Sequence, residues 1–117
     1  MPLKRQPAPA GWFPKRGEIC LFVPDKERPA VVISSSALNR HSLDVCVVPL
    51  SSVEHKAFSL RPKLRAGEGG LDRDSWVKCD QVTMIERAKA VDPPRGALSQ
   101  AALAKMEQAI KLALDLP

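Results

Sequence analysis

The stretch R-P-A-V-V-I-S at Arg28–Ser34 is a β-branched run that begins with a charged residue and ends with a serine. Such a run predicts a strand buried in a sheet. A second valine-rich run, L-D-V-C-V-V-P-L at Leu43–Leu50, predicts a neighbouring strand. Before both, Arg16–Val23 carries apolar residues at every second position from Ile19, which predicts a further strand. These strands indicate a small sheet as the centre of the fold.

The rest of the chain is predicted to add short strands and one terminal helix. The pattern indicates a helical turn at Ser35–Arg40, strands at Ala57–Leu60, Ser75–Ile85 (bent near Gln81) and Glu86–Val91, and a surface loop at Arg61–Gly70. Ser99 suits the N-cap of the helix, with Leu98 packing on Leu103 as a hydrophobic staple. The apolar face of this helix is predicted to hold Leu103, Met106, Ile110, Ala113 and Leu114. The predicted class is therefore mainly β, a small barrel-like sheet with a C-terminal helix at its rim.

Length and composition indicate one globular domain. The chain has 117 residues, of which 44% are hydrophobic and 26% are charged, and these values are ordinary for a folded protein. Residues 1–15 contain four prolines and three basic residues, which predicts a flexible basic arm. Residues 16–117 are then predicted to form a single domain.

The charge balance points to an anionic partner. Eighteen Lys and Arg residues face thirteen Asp and Glu residues, which gives a formal net charge of +5. Nucleic acid is the first candidate for the partner, and an acidic protein segment is the second.

The cysteines and histidines predict neither a disulfide framework nor a metal site. Cys20, Cys46 and Cys79 are far apart and odd in number, so free thiols in a reducing cytosol are expected. His41 and His55 have no carboxylate partner at ligand spacing, so no metal and no cofactor is predicted. With no apolar run of membrane length and no signal peptide, we expect a cytoplasmic protein without a membrane partner.

Polar residues at the ends of the predicted strands are the candidates for chemistry. Arg28 precedes the second strand, Ser51 follows the third, and Lys78 and Asp80 are predicted to share one face of the Ser75–Ile85 strand. A guanidinium, a hydroxyl, a cation and a carboxylate suit metal-free cleavage of RNA, because RNA supplies its own 2′-hydroxyl nucleophile.

Each of these residues also has a structural alternative. Arg28 could form a surface ion pair with Glu27 or Asp25, and Ser51 could merely cap a loop. Lys78 and Asp80 could be an ordinary same-face ion pair worth under about 1 kcal/mol.

At these residues the chain resembles the MazF/PemK/Kid family of toxin endoribonucleases. The matching motifs are R-G-E-I from Arg16, R-P-A-V-V-I-S from Arg28, A-L-N-R from Ala37, V-V-P-L-S-S from Val47, G-L-D-R-D-S-W-V-K-C-D-Q-V from Gly70 and M-E-Q-A-I-K-L-A-L from Met106. The resemblance implies an SH3-like barrel of the MazF/CcdB type that forms a homodimer. It also implies cleavage of single-stranded RNA without metal, leaving a 2′,3′-cyclic phosphate and a 5′-hydroxyl. The implied partner is an antitoxin with an acidic tail, together with which the toxin binds DNA.

The resemblance also assigns site residues. It implies that Arg28 and Ser51 are catalytic and that Asp80 and Lys78 are the base and the acid. The residues expected to contact RNA are Glu27, Ser52, Arg61, Lys63, Arg65, Arg73, Trp76 and Gln81.

Three departures from the family pattern keep two alternatives open. The loop Pro24–Glu27 is short, Ser51 replaces a commoner threonine, and Lys78 replaces an arginine, which loses bidentate phosphate binding. One alternative is a CcdB-like binding protein that poisons gyrase. The other is a catalytically weak or silent member that only binds RNA or an antitoxin.

Overall fold

The computed structural model describes residues 11–24, 28–53 and 60–117. Most of the predicted basic arm and the predicted RNA contact Glu27 lie outside the described residues. The predicted strand at Ala57–Leu60 also lies outside them except for Leu60, which is in a turn.

Short antiparallel strands form a curled sheet, and a long helix follows at the C-terminus. The strands are β1 (Glu18–Leu21), β2 (Pro29–Val32), β3 (Asp44–Ser51), β4 (Lys63–Leu64), β5 (Ser75–Val77), β6 (Thr83–Glu86) and β7 (Gly96–Ala97), and the helices are α1 (Ser36–His41) and α2 (Gln100–Leu114). Neighbouring strands follow the order β4-β5-β3-β2-β1-β7, with β6 also paired to β3. The predicted fold class, mainly β with a small barrel-like sheet and a C-terminal helix, is confirmed, and the sheet curls into a half-barrel.

The two faces of the sheet bury two separate hydrophobic clusters. In β2, Val31 points to one cluster while Ala30 and Val32 point to the other, as strand alternation requires. The first cluster is covered by α2, which contributes the fully buried Met106. The second lies on the opposite face, where Trp12 packs against it. The face that α2 covers is therefore distinct from the face that remains for a site.

The ends of α2 follow the predicted capping chemistry. The Ser99 hydroxyl accepts a hydrogen bond from the Ala102 amide at 3.2 Å, so the predicted N-cap is confirmed. The Glu68 carboxylate accepts a hydrogen bond from the Ser99 amide at 2.7 Å, which ties the start of the helix to a preceding 3₁₀ turn. At the other end the prediction was wrong for Leu114, which is 50% exposed and contributes to neither hydrophobic cluster.

The predicted strand Ser75–Ile85 is in fact two strands, and Pro49 gives the reason. The amide of Lys78 donates to the Pro49 carbonyl at 2.9 Å, so this pairing extends one residue past β5. Pro49 has no N–H to return the bond. The Lys78 carbonyl instead accepts from the Gln81 amide at 2.9 Å, which closes a turn before β6 begins. The bend expected near Gln81 is therefore a complete break in the strand.

The predicted secondary structure of two further short segments was wrong. The predicted loop Arg61–Gly70 contains β4 and the 3₁₀ turn Glu68–Gly70. The predicted strand Glu86–Val91 is mainly a 3₁₀ turn at Arg87–Lys89. In the described ranges no helix has both the length and the apolar character needed to cross a bilayer.

The prediction of free cysteines is confirmed. Cys20 and Cys79 are buried and Cys46 is partly buried, and none of them forms a disulfide. Burial raises the pKa of the Cys20 and Cys79 thiols to about 12, so both stay protonated and unreactive at neutral pH.

Candidate active site

The strand register brings four predicted site residues into one row. Ala30 pairs with Pro49 between β2 and β3, and continuing this register by two residues places Arg28 opposite Ser51. Ser51 pairs in turn with Trp76 of β5, and Trp76 pairs with Lys63 of β4. The order across the sheet is Arg28, Ser51, Trp76, Lys63.

This row lies on the face of the sheet that α2 does not cover. The residues that alternate with it, Leu50, Leu64 and Val77, are all buried in the cluster under α2. Because side chains alternate along a strand, the row points the other way. Neighbouring strands are about 4.8 Å apart, so Arg28 and Trp76 are separated by about 10 Å along the row.

Arg28 and Ser51 provide a cation beside a hydroxyl. Arg28 is exposed, and no carboxylate of the described residues forms an ion pair with it. Its predicted alternative partners, Asp25 and Glu27, lie outside those residues. The Ser51 hydroxyl accepts a hydrogen bond from the Val53 amide at 3.1 Å, so the loop-capping role exists. That bond uses the oxygen as acceptor and leaves the hydroxyl proton available to a ligand.

Asp80 forms a two-bond ion pair with Arg61 rather than a same-face pair with Lys78. The Arg61 Nε and Nη2 atoms each donate to a different Asp80 carboxylate oxygen at 3.0 Å. The prediction that Lys78 and Asp80 share one strand face was wrong, because β5 ends at Val77 and both residues lie in the turn that follows. The hydrogen bond from Arg61 holds the pKa of Asp80 below its usual range. Asp80 is therefore a weak base.

Some basic residues among the predicted RNA contacts form ion pairs with carboxylates, and others form none within the described residues. Besides Arg61, Lys63 is paired, because its ammonium lies 3.3 Å from the Asp74 carboxylate. Arg65 and Arg73 are exposed and form no ion pair within the part of the chain that the structure describes. Ser52 and Gln81 are exposed as well. Trp76 is half-buried, with the Lys63 ammonium 5.5 Å from its ring centroid.

Asp74 is the site residue that sequence reasoning missed. Its carboxylate accepts a hydrogen bond from the Ala66 amide at 2.9 Å and pairs with Lys63. The Ala66 hydrogen bond and then Lys63 lower the pKa of Asp74, so it remains ionised. No local sequence signal indicated Asp74, because its partner Lys63 is far from it along the chain and the pairing of β4 with β5 brings the two together.

Within residues 11–24, 28–53 and 60–117, no cluster of three or more His, Cys, Asp or Glu side chains could hold a metal. His41 is exposed at the end of α1. The row presents an exposed guanidinium, a hydroxyl proton and an aromatic ring, and Lys78 lies two residues along the chain from Trp76.

Comparisons with known proteins agree with this fold. A sequence profile described as "PemK-like, MazF-like toxin of type II toxin-antitoxin system" matches residues 13–114. Endoribonuclease MazF9 of Mycobacterium tuberculosis is 32% identical over 97 residues, which cover 79% of this chain and 81% of that protein.

Solved structures are similar over nearly the whole chain. One, described as an endoribonuclease from a mycobacterial species, has a TM-score of 0.79 at 24% identity and covers 93% of this chain and 98% of its own. Another is the MazE-MazF complex (Form-I) from Deinococcus radiodurans, with a TM-score of 0.75 at 20% identity, covering 90% of this chain and 99% of that one. These two structures support the curled sheet and terminal helix described above.

The Arg61–Asp80 ion pair predicts a pH dependence of stability. A carboxyl whose pKa is lowered on folding stabilises the native state above its unfolded pKa, and this stabilisation is lost as the pH falls through the lowered value. As the pH falls from about 5 to about 3, the free energy of unfolding of the Asp80→Asn variant should therefore decrease less than that of the original protein. Urea unfolding at a series of pH values measures this.

Asp72→Asn is the matched control for this experiment. Asp72 is 78% exposed and 4.0 Å from its cation Arg95, so its replacement should leave the pH dependence unchanged. Parallel curves for Asp80→Asn and the original protein would show that the Arg61 pair contributes nothing to acid sensitivity.

Proposed function

The chain belongs to the family of PemK-like, MazF-like toxins of type II toxin–antitoxin systems, and we propose that it cleaves single-stranded RNA without a metal ion. The observation that carries this proposal is the register of β2 against β3, because continuing it by two residues places Arg28 opposite Ser51 on the face that α2 does not cover. The relative that is 32% identical is named an endoribonuclease, which supports the same activity. Its place of action is then the cytoplasm, where messenger RNA is translated.

The proposed reaction needs only groups that this face provides. The 2′-oxygen of the RNA attacks the adjacent phosphorus, the bond to the 5′-oxygen breaks, and a 2′,3′-cyclic phosphate and a 5′-hydroxyl result. Arg28 stabilises the extra negative charge of the phosphorane, and the Ser51 hydroxyl donates to a phosphate oxygen. Lys78 is the candidate acid that protonates the leaving 5′-oxygen.

Asp80 has two roles in this proposal. It remains the candidate acceptor for the proton of the 2′-hydroxyl, but the pair with Arg61 lowers its proton affinity. Its stronger contribution is to hold Arg61, which it contacts through two hydrogen bonds. A weak base fits a reaction in which the charge of Arg28 supplies most of the stabilisation.

The proposed protein partners are a second copy of this chain and an antitoxin with an acidic tail. Two similar structures are described as complexes, one of MazE with MazF and one of an endoribonuclease with its cognate antitoxin. The net charge of +5 and the exposed Arg28, which has no ion pair with any described carboxylate, suit an acidic segment that covers the same face as the RNA.

Metal independence is the first test of the proposed reaction. Cleavage of a long RNA should continue at full rate in excess EDTA, because no step uses a metal. The same sequence made of deoxynucleotides should stay intact, because it lacks the 2′-hydroxyl nucleophile. Mapped product ends should carry the cyclic phosphate. Loss of cleavage in EDTA with recovery in magnesium, or efficient cutting of the deoxy strand, contradicts the mechanism.

Replacement of Arg28 tests the centre of the site. Arg28→Ala should lower the single-turnover rate about 100- to 1000-fold, because the loss of one preorganised donor costs this much. The melting temperature should stay the same, since Arg28 is exposed. Arg28→Lys should recover only part of the rate, because an ammonium cannot bind two phosphate oxygens as a guanidinium does.

Arg40→Ala is the control for the loss of one exposed positive charge. Arg40 lies on α1, away from the row, and its replacement should leave the rate within about twofold of the original. Wild-type rates for a folded Arg28→Ala protein would remove this residue from the site. A wild-type protein that binds RNA but never cleaves it would instead favour the silent family member.

The partner proposal predicts competition between an acidic segment and RNA. An antitoxin tail should slow RNA cleavage, and its association rate should fall steeply as salt rises, because opposite charges steer the encounter. Arg28→Ala should weaken this inhibition more than Arg40→Ala. Sedimentation of the free protein should give about twice the chain mass of 12.8 kDa. A partner that binds fully while cleavage continues contradicts a shared face.

A further inference from the structure

Packing in the two hydrophobic clusters does not explain the position of the Trp76 side chain. It belongs to neither of the two buried clusters, although β5 is paired on both sides, with β3 and with β4. Its cross-strand neighbours are Ser51 on one side and Lys63 on the other, and both are polar. A tryptophan that packs against no apolar partner in its own row gains little stability from that position.

A cation is held beside this ring by a carboxylate. The Lys63 ammonium lies 5.5 Å from the ring centroid of Trp76 and 3.3 Å from the Asp74 carboxylate. Asp74 is itself fixed by the Ala66 amide, so the lysine is directed toward the ring from a defined position. The ring of the half-buried Trp76 and the positive charge of Lys63 thus lie together on the face that α2 does not cover.

A nucleotide of a single strand matches this arrangement. Its base can stack on an aromatic ring, and its phosphate can take the adjacent cation. The row places Trp76 two strands from Arg28, about 10 Å along the sheet. A strand of RNA whose cleaved bond lies at Arg28 therefore reaches the ring with a nearby nucleotide.

We propose that Trp76 is a stacking platform for one base beside the cleaved bond, and that Lys63 binds the phosphate of that nucleotide. The position of the cleaved bond rests on the proposed function, whereas the stacking itself requires only binding. Because every base has a π-face, this contact orders the strand at one nucleotide without dictating which base is bound.

Fluorescence of Trp76 tests the platform independently of cleavage. The sequence has two tryptophans, so Trp12→Phe leaves Trp76 as the only emitter. The probe is a short single-stranded RNA in which fluorine replaces every 2′-hydroxyl, which removes the nucleophile. Binding should quench most of the emission, and an abasic nucleotide at one position of the probe should restore it. Abasic substitution elsewhere should leave the quenching unchanged.

Affinity for the same probe gives the second measurement. Trp76→Ala should weaken binding about 5- to 150-fold, the equivalent of one stacked base, and Trp76→Phe should keep most of the affinity. Lys63→Met should make the slope of log affinity against log salt concentration less steep by about one, which corresponds to the loss of one phosphate contact. Trp12→Phe is the control and should bind like the original protein, and circular dichroism should confirm the fold of each variant.

The outcomes separate this inference from the proposed function. Unquenched Trp76 at saturating probe, equal affinity of Trp76→Ala, or no binding of the probe overturns the stacking platform. Full quenching together with no cleavage of ordinary RNA supports the platform and rejects the proposed reaction.

Discussion

The missing N–H of Pro49 is the constraint on which the arrangement of this site depends. Pro49 lies in β3, the eight-residue strand that has β2 on one edge and both β5 and β6 on the other. Its carbonyl accepts from Lys78, so its nitrogen also faces the β5 edge, where a donor is absent. Pairing with β2 is undisturbed, since those bonds use the residues on either side of Pro49.

The consequence of this missing donor appears in the chain opposite. Five residues, 78–82, stand between the pairs Leu50–Val77 and Val47–Thr83, where β3 has two residues. The surplus forms the turn that carries Asp80 away from the sheet edge and toward β4, where it meets Arg61. A donor at position 49 would favour one continuous strand, and Asp80 would then alternate with its neighbours as the sequence pattern predicts.

Much of the fold could be predicted from the sequence, because the spacing of apolar residues in a strand and the capping of a helix depend only on residues close together in the chain. The alternation in β1, the valine runs of β2 and β3, and the hydroxyl of Ser99 each act within a few residues. The two-residue strand β4 is too short to show a period, and it exists because β5 pairs with it. The partners of Arg61 and Lys63 depend on that pairing, so a count of basic residues overstated the free positive charge of this face.

The division of the sheet into two faces explains how a site can be both rigid and open. Ser51, Trp76 and Lys63 are spaced by backbone register, and backbone hydrogen bonds keep that spacing when a side chain is changed. The opposite face buries Met106 and the rest of the α2 contact, so this part of the hydrophobic core is separate from the row. Donors held on paired strands need little reorganisation when charge develops on a substrate. The helix α2 packs on one face of this small sheet, and the row proposed to bind RNA lies on the other face, which also carries the second hydrophobic cluster.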